Sequence, residues 1–287
     1  MINEIIPPDH DIFYINTSDE QELTQSRLLS YTVDHGDPDR DLTIFFAHGA
    51  GGNKNQWRRQ WRHLAGRGYR LVAWDNLGHG RSTRSRRRAD YAGTRILSDY
   101  RALFDRFASG RNILVAHSYG ARLTLGLLAE LEAAGRLESV AGALLLGVPP
   151  VATPLAFAPR LLPTFVLEWM RPFLNRSFRS IAWHPETDAG LVAIEEEATR
   201  GNSLFMMRAV LEQDFRPDPT ALPRLAIPID VVAGDADRLT PADHGRDLAA
   251  RLPDGRLHLV TGSGHQIMLE QPDGINALLD ALIAGDR

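Results

Sequence analysis

Ser118 sits at the centre of Ala116-His117-Ser118-Tyr119-Gly120, directly after the apolar run Asn112-Ile113-Leu114-Val115 and directly before Ala121-Arg122-Leu123-Thr124-Leu125-Gly126-Leu127-Leu128. The first run suits a buried strand and the second a helix. Ser118 therefore falls on a sharp strand-to-helix turn, a setting that lifts a hydroxyl clear of the backbone as a nucleophile. So tight a turn needs small neighbours, which Gly120 and Ala116 supply. Ser is also a good helix N-cap, so the remaining chain must provide the partners that a nucleophile needs.

Those partners are a general base and a carboxylate to orient it. In open α/β sheets such groups sit on loops beyond the carboxyl ends of strands. Asp237 lies in Gly234-Asp235-Ala236-Asp237-Arg238-Leu239-Thr240-Pro241, after an apolar strand pattern ending at Ala233. His265 lies in Gly262-Ser263-Gly264-His265, after a pattern ending at Val260. Asp235 is an alternative acid, with Asp237 then capping the next helix. A developing oxyanion needs two backbone N–H donors. One is the N–H of Tyr119. The other comes from His48-Gly49-Ala50-Gly51-Gly52, where glycine lets the backbone approach a substrate oxygen.

The elements that must position these groups alternate. Strands are expected at Asp11 to Asn16, Leu28 to Val33, Leu42 to Ala47, Arg70 to Trp74, Asn112 to Val115, Ser139 to Leu146, Ile229 to Ala233 and Arg256 to Val260. Helices are expected near Gln56 to Arg67, where Trp57, Trp61 and Leu64 recur at helical spacing, and at Ala92 to Ser109, Ala242 to Leu252 and Ile267 to Ile283. Strand–helix alternation predicts an α/β fold with a mostly parallel sheet and helices on both faces. Near Pro149 the alternation stops, and residues 150 to about 216 show no clear strand. Helical patterns at Leu161 to Leu174, Ala189 to Thr199 and Ser203 to Asp214 read as an insertion, and Pro154, Pro159, Pro163, Pro172 and Pro185 predict short helices.

Composition sets outer bounds. The chain has 287 residues, 44% apolar and 24% charged, with a net charge of −4. That suits one large globular domain with a sizeable core and gives no sign of a nucleic-acid partner. The absence of cysteine excludes disulfides, thiolate catalysis and thiolate metal sites. No stretch approaches the roughly 20 apolar residues of a transmembrane helix, and no export signal is visible at Met1 to Asp9, so the expectation is a cytoplasmic protein.

Taken together, His48-Gly49-Ala50-Gly51-Gly52, Asp75-Asn76-Leu77-Gly78-His79-Gly80-Arg81-Ser82, Ala116-His117-Ser118-Tyr119-Gly120, Gly234-Asp235-Ala236-Asp237 and Gly264-His265 with Leu269-Glu270-Gln271-Pro272 resemble the α/β-hydrolase superfamily over nearly the whole chain. Ala116 departs from the family's usual glycine. The resemblance implies Ser118 as nucleophile, His265 as base, Asp237 as acid, and Ala50 and Tyr119 as oxyanion donors. It implies a core of residues 1–149 and 217–287 with a helical cap at 150–216, and no cofactor or metal. Ser203 to Val210, followed by Asp214-Phe215, is further similar to an abhydrolase-domain subgroup of the monoacylglycerol-lipase type.

The implied activity is hydrolysis of a carboxylic ester with an apolar acyl or alcohol part. Cleavage of a diketone C–C bond, lactone opening or perhydrolysis by the same residues, or ligand binding without turnover, are the alternatives. Phe165 and Trp169 are expected on the inner face of the cap, against substrate; Phe157, Leu161, Leu162, Phe173 and Phe178 divide between that face and packing. Asp75, His48, His79 and His117 are expected to brace loops by hydrogen bonding. Arg81 and the run Arg84 to Arg88 form either a solvated surface or an attraction for anionic substrate or lipid.

Overall fold

Residues 19–24, 27–151 and 162–286 are described by a computed structural model of the chain. Its strands are β1 (Asp19–Thr24), β2 (Arg27–Asp34), β3 (Leu42–Ala47), β4 (Arg70–Trp74), β5 (Arg111–His117), β6 (Val140–Leu146), β7 (Ile229–Gly234) and β8 (Gly255–Val260). They form one sheet in the order β1-β2-β4-β3-β5-β6-β7-β8. The β1–β2 and β2–β4 pairs are antiparallel, and every pair from β4 through β8 is parallel. The alternation in the sequence is the cause: each parallel neighbour needs a crossover, and the intervening helices supply it.

The central strands are apolar without interruption because both faces are covered. On β5, Leu114 and Ala116 enter one core layer while Ile113 and Val115 enter the other, all at 0% exposure. The first layer is closed by α2 (Gly93–Phe107), α3 (Tyr119–Ala133) and α7 (Ala242–Arg251) through Tyr100, Phe104, Leu123, Leu127 and Leu248. The second is closed by α1 (Arg58–Leu64), α8 (Ile267–Glu270) and α9 (Pro272–Ala284) through Trp61, Leu64, Met268 and Leu279. Each such aliphatic side chain contributes about 1.5–3 kcal/mol by leaving water.

Between β6 and β7 lie α4 (Thr164–Ala182), α5 (Ala189–Thr199) and α6 (Leu204–Glu212). Met206, Ala209 and Val210 of α6 join the first core layer; Ala182 and Val192 join the second. α4 is longer than expected and runs through Pro172. Pro172 is exposed, so the carbonyl left without a donor lies on the wet side of the helix, where a proline is tolerated. The expected strand at Asp11 to Asn16, and Pro154, Phe157, Pro159 and Leu161, lie outside the described residues. β1 was not expected: its Asp-Glu-Gln-Glu sequence lacks any apolar alternation. The last expected helix is divided between α8 and α9, with Pro272 opening α9. Among the described residues no helix is long and apolar enough to cross a membrane.

Register brings the candidate residues to one sheet edge. Ala47 pairs with Ala116, His117 with Leu146, and Gly234 with Val260. The loops after β3, β5, β7 and β8 therefore emerge at the same carboxyl-terminal end.

Candidate active site

Ser118 follows β5 with φ 52° and ψ −117°, the one positive-φ residue other than glycine among those described. A Cβ in that region costs about 1–3 kcal/mol and persists where its surroundings over-determine it. Here they do. Ser118 donates its N–H to Leu146 O at 2.8 Å, and its own carbonyl accepts from Ala121 at 2.9 Å. A Cβ on Gly120 would lie 2.5 Å from Ala47 O and 2.7 Å from His48 O, so only glycine lets α3 start this close to β3. The turn leaves Ser118 partly exposed between buried His117 and Tyr119.

Asp237 and His265 come together. His265 Nδ1 lies 2.8 Å from Asp237 Oδ2, both side chains almost fully buried. With Nδ1 engaged by a carboxylate, that nitrogen carries the proton and Nε2 is the basic one. The other carboxylate oxygen, Oδ1, accepts from Leu239 N and Thr240 N, each at 2.8 Å. Thr240 Oγ1 donates to Asp237 Oδ2 at 2.6 Å and lies 3.0 Å from His265 Nδ1. Burial alone would raise the Asp237 pKa, but the His265 ring and the bonds from His265 and Thr240 outweigh it and hold the carboxyl below the ordinary value. Asp235 does separate work: its Oδ1 accepts from Gly262 N at 2.9 Å and Ser263 N at 3.2 Å, bracing the loop that carries His265.

His265 is held from three sides. Its N–H donates to Ala182 O at 2.7 Å, at the end of α4. Its carbonyl accepts from His117 Nε2 at 2.9 Å, and the two rings sit 4.5 Å apart. Burial first, and then the neighbouring His265 ring, push His117 well below 6.5, so it remains neutral. Glu270 accepts from Gly264 N at 2.9 Å, from His184 N at 2.7 Å and from Thr187 Oγ1 at 2.6 Å, tying the His265 loop to the α4–α5 connection.

The loop after β3 is fixed peptide by peptide. Gly49 O accepts from His48 Nδ1 at 2.7 Å and from Gly52 N at 3.1 Å. A trans peptide is planar with C=O and N–H opposed, so anchoring the Gly49 carbonyl aims the Ala50 N–H the other way. Gly51 N donates to His79 Nε2 at 3.0 Å, and Asn202 Nδ2, between α5 and α6, donates to Gly51 O at 2.6 Å and Gly52 O at 3.1 Å. A Cβ on Gly49 would meet Ser118 Cβ at 3.1 Å, which places this loop directly against the serine. Tyr119 opens α3, so its N–H has no intrahelical acceptor and sits at the positive end of the helix dipole.

The bracing histidines follow the same logic. His48 Nε2 accepts from Asn76 N at 2.9 Å, and His79 Nδ1 donates to Leu77 O at 3.0 Å. Burial lowers both pKa values, that of His79 to about 3. Each acceptor nitrogen is filled by a backbone N–H, the position a metal ion would need. Asp75 receives Lys54 Nζ at 2.8 Å, Lys54 N at 2.8 Å and Arg81 N at 3.0 Å, fixing the loop that carries His79. That loop holds the glycine loop after β3 through His79 Nε2, a bracing role of the kind expected from the sequence.

One expectation is overturned. Phe165 and Trp169, with Phe173, point outward at 74%, 77% and 68% exposure, while Leu167 of the same helix is fully buried. The three recur four residues apart and so share one face; the buried face of α4 is the one opposite. Sequence reasoning also missed Thr240 and Asn202. A hydroxyl three residues after Asp237 is a local hydrogen-bonding pattern and was available as a signal. Nothing near Asn202 in sequence points to a loop about 150 residues away. A further buried pair, Arg122 with Asp214 and Pro150 O, ties α3 to both ends of the helical insertion.

Among known proteins, the chain is similar to protein ABHD8 of Bos taurus, 30% identical over 242 residues that cover 83% of this chain and 55% of that protein. It thus spans about half the length of these curated relatives. It is also similar to a non-heme haloperoxidase of Rhodococcus erythropolis, 28% identical over 84% of this chain and 91% of that one. Among solved structures, an esterase from Exiguobacterium antarcticum shares the fold at a TM-score of 0.75 and 18% identity, covering 90% of this chain and 96% of the other. The model of the alpha/beta hydrolase family matches residues 44–278, from within β3 to within α9. That span takes in the elbow, both loops and every candidate side chain described above, and the chain belongs to the alpha/beta hydrolase family.

Proposed function

We propose that this protein is a serine hydrolase that cleaves carboxylic esters with an apolar acyl or alcohol part. The observation that carries the reading is the 2.8 Å contact between His265 Nδ1 and Asp237 Oδ2, on loops that flank a serine held at φ 52°. Ser118 Oγ attacks the ester carbonyl and His265 Nε2 takes its proton. The N–H groups of Ala50 and Tyr119 receive the oxyanion, each worth roughly 3–4 kcal/mol in the transition state. The tetrahedral intermediate collapses, His265 returns the proton to the leaving alcohol, and the acyl group remains on Ser118. Water, deprotonated by His265, then releases the acid and restores the serine. Asp237 keeps the imidazole in the required tautomer and balances its charge.

Residues 150–216 act in this reading as a cap. A Cβ on Gly51 would lie 3.0 Å from the Met207 sulfur, so α6 presents an apolar side chain beside the glycine loop, and each acyl methylene buried there is worth about 0.8 kcal/mol. The test is turnover of a p-nitrophenyl ester series from acetate to decanoate. Rising kcat/KM with length supports the reading, and stoichiometric binding without turnover refutes it. A second reading, attack of hydrogen peroxide on the acyl-serine to release a peracid, is favoured by the name and 28% identity of the haloperoxidase relative. Halide oxidation dependent on both peroxide and a carboxylic acid would support it.

A further inference from the structure

Asn202 stands outside the three residues that would perform the chemistry, yet it uses every hydrogen-bonding group it has. It is 5% exposed, in the turn between α5 and α6. Its Nδ2 donates to Gly51 O at 2.6 Å and Gly52 O at 3.1 Å; its Oδ1 accepts from Gly80 N at 3.3 Å. Its backbone N–H donates to Thr199 O at 2.9 Å, and its carbonyl accepts from Arg171 Nη1 of α4 at 3.0 Å. One side chain of the helical insertion thus joins the glycine loop after β3 to the Gly80 loop after β4. The Gly51 residue is held from both ends, its N–H by His79 and its carbonyl by Asn202. Nearby, Asn53 Nδ2 donates to Ala198 O at 3.2 Å, a second link between the same two segments.

We propose that Asn202 is a positioning residue: by gripping the Gly51 and Gly52 carbonyls it fixes the loop that offers the Ala50 N–H, so that this donor is correctly aimed while the α5–α6 turn is seated on the core. The inference rests on the serine-hydrolase reading of the site and adds a residue supplied by the insertion. The physical basis is chain geometry. Ala50 is followed directly by the two residues whose carbonyls Asn202 holds, and glycines at 51 and 52 bring no side chain of their own to restrain that half of the loop, while His48 anchors the other half at the Gly49 carbonyl. The Asn202 Nδ2 is the donor to both carbonyls. Asn202→Asp keeps the shape and the acceptor for Gly80 but sets a carboxylate oxygen against two carbonyl oxygens.

The experiment compares wild type, Asn202→Asp, Asn202→Ala and Arg171→Met. Arg171→Met removes the bond to the Asn202 carbonyl together with the ion pair to Glu168, and leaves the Asn202 side chain in place, so it remains informative if the first two variants fold poorly. Steady-state kinetics on p-nitrophenyl butyrate are measured beside hydrogen–deuterium exchange of the 48–53 segment. Removing one oxyanion donor outright costs about 10²–10³ in kcat. Misaiming it should cost less: a fall of roughly 10–100-fold for the Asn202 variants and a few-fold for Arg171→Met, with KM within about two-fold and faster exchange confined to 48–53 and the Gly80 loop. Unchanged kcat and exchange in all variants overturn the proposal, as does a change in KM alone. If wild type turns over no ester, the serine-hydrolase reading fails, and the clamp is then judged by exchange alone: faster exchange on Asn202→Asp sustains it and unchanged exchange overturns it.

Discussion

Replacing Ser118 with glycine should make the protein more stable than replacing it with alanine. Both variants lose the hydroxyl, so whatever Oγ contributes cancels between them. What differs is the Cβ at φ 52° and ψ −117°. Holding a side chain in so sparsely populated a region costs about 1–3 kcal/mol, which alanine retains and glycine avoids. Glycine gives back about 0.4–1 kcal/mol through the greater freedom of the unfolded chain. It also loses the packing of Cβ against Gly49, a minor loss for one carbon. The net advantage of Ser118→Gly is therefore about 0.5–2 kcal/mol. For domains of 150–250 residues, 1 kcal/mol moves Tm by about 2–4 °C, and this longer chain belongs at the low end, so the glycine variant should melt about 1–4 °C higher. Urea midpoints and calorimetry measure this directly. An alanine variant as stable as the glycine variant, or more so, would refute the claim that the elbow stores strain at Ser118.

Three further outcomes follow from the site. Asp237→Asn should lower kcat/KM by about 10⁴ while Asp235→Asn, which keeps an Oδ1 to accept from Gly262 and Ser263 and loses only the charge, should stay within about ten-fold; the reverse order would move the acid to Asp235. Acid should destabilise the fold: His79 titrates near 3 in the folded state against 6.5 unfolded, so its contribution is complete above about pH 6.5 and declines as pH falls towards 3. His48 and His117 act in the same direction, and Asp237, with a depressed pKa, adds a loss at lower pH still; urea midpoints that do not move between pH 7.5 and 4.5 would contradict this. Phe165→Ser and Trp169→Ser should change stability by less than about 0.5 kcal/mol and leave acyl-chain preference unaltered, because both rings face outward, whereas Met207→Ala should shift that preference.

Much of the site was legible because its pieces are local. A strand followed by Ser118 and Gly120, or by Gly264 and His265, announces itself within a few residues, and the backbone rules that demand glycine at 120 act between near neighbours in the sheet. Unbroken apolar runs such as Leu42 to Ala47 mark strands covered on both faces. What the sequence concealed is long-range. β1 is a charged edge strand recruited by a hairpin with β2, with no periodicity to betray it. The orientation of α4 depends on which face the core accepts: its aromatic residues form a helical stripe, but a stripe does not say whether it turns in or out. Asn202 gains its meaning only when the α5–α6 turn meets Gly51, Gly52 and Gly80.

The central claim is that Ser118 is the nucleophile of this site. Intact-mass and peptide mass spectrometry after exposure to a fluorophosphonate test it most directly. Wild type should gain one phosphonyl group, on the peptide containing Ser118, in step with loss of ester hydrolysis, and Ser118→Ala and Ser118→Gly should gain none. Modification of the alanine variant at another residue, or hydrolysis that survives in it at the wild-type rate, would contradict the account.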